Sequence, residues 1–201
     1  MQGAERSALR IFTIGHSNHA LERFLDLLRS QTIEVIVDTR SYPYSNHAPQ
    51  YDREALKKAL QKAGLKYVDM GEQLGGRPKG EEFYDAKGHV LYDRVAASAF
   101  FRDRLSRLER GIENHNVALL CSEENPAVCH RKLLIGRVLA ERGFAVQHIR
   151  GDGRMQSDEE LADAAASVSR TGNLFPDAEV SPWKSIPSVL RKRRRSNSLK
   201  S

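Results

Sequence analysis

Cys121 and Cys129 are the two cysteines of this 201-residue chain, and the second opens the triplet Cys129-His130-Arg131. The apolar run Val117 to Cys121 predicts a buried strand. The segment 126–142 predicts a helix, with Asn125 as N-cap, Pro126 at its first position and the triplet in its first turns. Unpaired N–H groups at a helix start lower a thiol pKa and attract anions. The chemistry suggested is that of a thiolate nucleophile, from Cys129 or Cys121, with His130 moving protons and Arg131 gripping a phosphate or carboxylate. A plainer reading stands beside it, in which Cys121 is a small buried apolar residue and His130 a satisfied histidine.

More polar residues follow the other predicted strands. His16 and Ser17 follow the flexible Gly15, and His16 is a candidate acid, base or hydrogen-bond donor. Asp38 is either a general base or the partner that pins Arg40. Gly75, Gly76 and Arg77 form a third polar turn, so Ser17, Arg40, the two glycines, Arg77 and Arg131 are candidate substrate contacts. Ser41-Tyr42-Pro43-Tyr44-Ser45 suits either stacking a ring or closing a loop. A zinc site from Cys121, Cys129, His130 and His16 is disfavoured by the long gap between the cysteines, so neither metal nor cofactor is expected. The usual phosphatase loop needs an arginine six residues after its cysteine, where this chain has Ala127. A rhodanese-like sulfurtransferase stays open, although neither cysteine precedes a compact glycine-bearing loop.

The elements that must position these residues alternate. β-rich runs at 10–14, 34–38, 66–69, 116–121 and 145–149 are separated by helical periodicity at 20–31, 52–63, 96–109 and 126–142. Such alternation predicts a single α/β domain, a mostly parallel sheet of about five strands flanked by helices on both faces. In open parallel sheets ligands bind beyond the carboxyl ends of the strands, where these polar residues fall. The domain is expected over 1–168, with a short helix at 158–168, and 169–201 is read as an extension ending in a disordered basic tail.

Charge follows the same division. The net charge is +6, but residues 184–201 hold seven of the 32 Lys and Arg and no acidic residue, leaving 25 against 26 Asp and Glu. The tail can therefore contact nucleic acid through phosphates, while the body is nearly neutral. The sequence shows neither a membrane span nor a secretory signal at its start, so a cytoplasmic protein with reduced thiols is expected.

The blocks Thr13-Ile14-Gly15-His16-Ser17, Val37-Asp38-Thr39-Arg40-Ser41-Tyr42-Pro43, Leu74-Gly75-Gly76-Arg77, Cys121-Ser122-Glu123 and Cys129-His130-Arg131 resemble, in order, the signature of domain-of-unknown-function family 488 (DUF488). The resemblance spans about residues 10–150. It implies an α/β domain with the blocks gathered at one site, and it implies no particular reaction. Asn46-His47, where the family often has a basic residue, and the basic tail depart from it. Two functions are expected: an enzyme acting on a phosphate- or nucleotide-bearing substrate through a reactive cysteine, or a non-catalytic nucleic-acid or nucleotide binding module.

Overall fold

The computed structural model describes residues 9–164 and 183–185. The expected boundary near residue 168 and most of the basic tail lie outside them. In chain order the elements are β1 (Arg10–Gly15), α1 (Leu21–Ser30), β2 (Val35–Asp38), α2 (Arg53–Lys62), β3 (Lys66–Asp69), α3 (Gly71–Leu74), α4 (Tyr92–Ala97), α5 (Ala99–Ile112), β4 (Val117–Cys121), α6 (Arg137–Glu141), β5 (Ala145–Ile149) and β6 (Met155–Ser157).

The strands form one six-stranded sheet in the order β3-β2-β4-β1-β5-β6. The first five run parallel, and β6 is antiparallel to β5. A parallel sheet must bury both faces, and the two-residue period of each strand supplies two apolar sides. Ile11, Val117 and Leu119 enter a core with α4, α5, α6 and the segment before α6, while Phe12, Ile14, Ala118 and Leu120 enter another with α1 and α2. By this alternation Cys121 falls on the side of Leu119, under the chain that follows the strand. Thr13 likewise faces that side and meets Arg131.

Three details differ from expectation. About five strands were expected, and β6 adds a short sixth of three half-buried residues, too short and too polar to show a period. The helix expected over 126–142 is broken. Asn125 does cap a turn, accepting from the Ala127 N–H at 3.0 Å, but Pro126–Val128 is a single 3₁₀ turn and Cys129 is extended, with φ −118° and ψ 142°. A wide π turn over Arg131–Gly136 then leads into α6. Cys129 therefore precedes the helix, and its sulfur accepts the Arg131 N–H at 3.5 Å. The helix expected over 96–109 starts at Ala99, with Ser98 as its N-cap, after the separate α4.

Candidate functional site

β1, β4 and β2 are neighbours in the sheet, so their carboxyl ends bring Gly15, Cys121 and Asp38 to one edge. The chain winds away from β1 in both directions, which makes this edge the switch point where α/β sheets bind ligands. Cys121 Sγ ends β4 and lies 2.7 Å from Glu123 Oε2 and 3.6 Å from His130 Nδ1. Cys129 Sγ lies 3.3 Å from the same carboxylate oxygen and 3.8 Å from the same nitrogen. The ligand atoms of Cys121, Cys129 and His130 are within 4.8 Å of one another, and both thiols are free and buried. His130 Nε2 donates to the Thr39 carbonyl at 3.0 Å, so in the neutral ring Nδ1 turns its lone pair to the sulfurs.

These groups share charge. Burial pushes the Cys121 thiol well up, helped by the neighbouring Cys129 and Glu123. Burial works the same way on Cys129, yet hydrogen bonding from Cys121 and the proximity of His130 and Arg131 hold it well below the usual thiol range. His130 is raised: burial opposes its charge, but Cys129 and then Glu123 favour it. The three groups thus titrate together, with burial and the shared proton favouring the Cys121 thiol and the neighbouring charges favouring the charged forms of Cys129 and His130.

Behind them stands a second buried network. Arg40 grips Asp38 with both ends of its guanidinium, Nε to Oδ1 at 2.9 Å and Nη2 to Oδ2 at 2.6 Å, and Tyr67 donates its hydroxyl to Oδ2 at 2.7 Å. Asp38 therefore pins Arg40, and its carboxylate has no exposed surface. Arg40 Nη1 donates to His16 Nε2 at 3.1 Å, so His16 carries its proton on Nδ1 and gives it to the Ser17 carbonyl at 2.8 Å. The ring stacks on Tyr51 at 4.2 Å. Burial first, and the Arg40 charge second, lower the His16 pKa from 6.5 to about 4. The unfolded chain therefore binds a proton that the folded chain refuses, and stability falls as pH drops from 6.5 to 4, by about 3 kcal/mol at most. Urea unfolding at pH 7 and pH 4 should show this loss, and it should shrink markedly in His16→Gln.

In front of the sulfurs opens a cleft of about 240 Å³ lined by Arg40, Ser41, Tyr42, Tyr44, Ser45, Gly76, Arg77, Cys121, Ser122, Glu123 and His130. Of the residues singled out in the sequence, Arg40, Gly76, Arg77, Cys121 and His130 border it. His16 and Asp38 lie behind it, Cys129 is buried beneath Glu123, and Ser17 binds the Ser122 carbonyl through its backbone. Gly76 is needed where it stands, because a Cβ there would sit 2.9 Å from the His130 ring, and a Cβ on Gly15 would strike the Glu123 carbonyl at 1.9 Å. Gly75 packs against Ser41 in the same way. Arg131 does not face the cleft. Its guanidinium donates to the carbonyls of Glu123 and Glu124, the latter at 2.6 Å, and its Nε to Thr13 Oγ1 at 3.3 Å. Glu123, whose carboxylate touches both sulfurs, was given no role from the sequence. Its signals were its place in the block Cys121-Ser122-Glu123 and its position two residues beyond a strand-ending cysteine.

Fold and site together define a class: a single α/β domain with a thiol and imidazole cluster at the carboxyl edge of a parallel sheet. The family model for the domain of unknown function DUF488 matches residues 20–138, and the chain belongs to that family. Searches of curated proteins and of solved structures each gave no match. Among the described residues, no helix is long and apolar enough to cross a membrane.

Proposed function

We propose that this chain is an enzyme acting on a phosphate-bearing substrate, with the sulfur of Cys121 as its nucleophile. The observation that carries this reading is the arrangement of nucleophile, base and orienting group: Cys121 on the cleft, His130 Nδ1 at 3.6 Å, and the Thr39 carbonyl fixing the ring at 3.0 Å. In the step proposed, sulfur bonds to the electrophilic centre of the substrate, its proton passes to His130, and the leaving group takes that proton as its own bond breaks. Glu123 and Cys129 hold the Cys121 sulfur in place. Arg77, exposed on the cleft and without a side-chain partner among the described residues, is the anion contact, while the Arg40 charge at the back wall is matched by Asp38.

Calorimetric titration with inorganic phosphate tests the anion contact. Arg77→Ala should weaken binding about ten-fold or more without lowering the melting temperature, since a charge-assisted hydrogen bond contributes about 1.5–3 kcal/mol. Equal affinity in the variant would contradict the assignment.

A second reading has one specific observation in its favour. Two thiols and an imidazole within 4.8 Å, the imidazole held by a backbone carbonyl, are the donor set of an open zinc site. In that state the sulfurs are ligands and do not attack. The metal content of the purified protein separates the two readings: one equivalent of zinc shielding both thiols favours the second.

A further inference from the structure

We infer that the mouth of this cleft is a nucleobase platform, so that the phosphate-bearing substrate is a nucleotide, free or within a single strand. The inference rests on the anion reading of the cleft and adds to it the identity of what lies outside.

Among the described residues, the large apolar side chains left exposed are Leu9, Tyr42 at 72% and Tyr44 at 47%. Both tyrosines stand on the cleft, with ring centroids 5.6 Å apart and planes at 66°. Their loop is held from behind. The Pro43 carbonyl accepts from the Arg53 N–H at 3.0 Å, and the Ser45 N–H donates to Asp52 at 2.8 Å. The Arg53 guanidinium sits 5.9 Å from the Tyr44 ring centre and is anchored to Asp69 at 2.9 Å. Two aromatic rings are thus fixed on one side and open to water on the other, which is a preorganised stacking surface rather than a loop closure.

Size and charge identify the occupant. A cleft of about 240 Å³ falls below the roughly 300–1,000 Å³ that encloses a drug-sized ligand, so it takes the phosphate end and leaves the remainder outside. Arg77 and Tyr42 line the same cleft. A ligand that is anionic at one end and planar at the other meets both groups, and stacking on an aromatic side chain is open to every base because each has a π-face.

Calorimetry with inorganic phosphate, ribose 5-phosphate, adenosine 5′-monophosphate and a six-residue single-stranded oligouridylate tests this. The monophosphate should bind at least about five-fold more tightly than ribose 5-phosphate, the low end of the stacking effect measured by alanine substitution. Tyr42→Ala should erase that gap while phosphate binds as before, and Tyr42→Phe, which keeps the ring, should retain it. A hexamer binding more tightly than the monophosphate identifies a strand as the source, and equal binding identifies the free nucleotide. Either supports the platform. Equal affinity for ribose 5-phosphate and the monophosphate, or a gap that survives Tyr42→Ala, overturns the platform and leaves the anion site standing. Absence of binding by phosphate and all three phosphate-bearing probes overturns both.

Discussion

Arg131→Leu is expected to lower the free energy of unfolding by about 2–5 kcal/mol, a large share of what a domain of this size possesses. The Arg131 side chain is almost wholly buried, and its guanidinium donates to the carbonyls of Glu123 and Glu124 and to the Thr13 hydroxyl. That hydroxyl in turn meets His148 Nδ1 at 2.7 Å, and His148 Nε2 meets Asp158 at 2.8 Å. The substitution leaves two part-buried carbonyls without their donor and opens the loop that carries Glu123. Arg131→Lys should recover little, because one ammonium cannot reproduce the guanidinium fork. Urea titration followed by circular dichroism measures the loss. A variant as stable as the parent that fails only to bind phosphate would return Arg131 to the role its sequence position suggested, that of an anion contact.

Arg131 shows what could and could not be read before folding. The alternation of apolar strands and helices made the α/β domain legible, and the position of polar residues after strands made the edge of the site legible. The strands over 66–69 and 145–149 appear with the expected bounds, because each is a short β-rich run between clear helical periods. Side-chain direction was not legible at that level. Cys, His and Arg adjacent in sequence suggested three groups facing one ligand, whereas the break at the extended Cys129 sends His130 to the cleft and Arg131 beneath the loop. The seven residues between the cysteines argued against a shared zinc site, yet the chain turns back at Pro126 and closes that gap in space. Asp38 carried two readings, and the bidentate grip on Arg40 describes the plainer one. Glu123 was given no role because its contacts exist only once Cys121 and Cys129 have been brought together.

The sulfur of Cys121 is the centre of this account, and selective alkylation tests it most directly. Iodoacetate and iodoacetamide attack sulfur by the same displacement of iodide and differ in charge. On an ordinary thiolate the anionic reagent is repelled. In this cleft it is drawn toward Arg77, and an ion contact of that kind changes a rate on the order of ten-fold. Peptide mapping of the protein under limiting reagent should therefore find carboxymethyl on Cys121 before Cys129, which has no exposed surface. Iodoacetate should react with Cys121 faster than iodoacetamide does, inorganic phosphate should slow it, Arg77→Ala should remove the preference, and Cys121→Ser should abolish the early label. A Cys121 that stays unlabelled, reacts faster with the neutral reagent regardless of phosphate, or becomes reactive only after a chelator has removed zinc would contradict a sulfur nucleophile at this site.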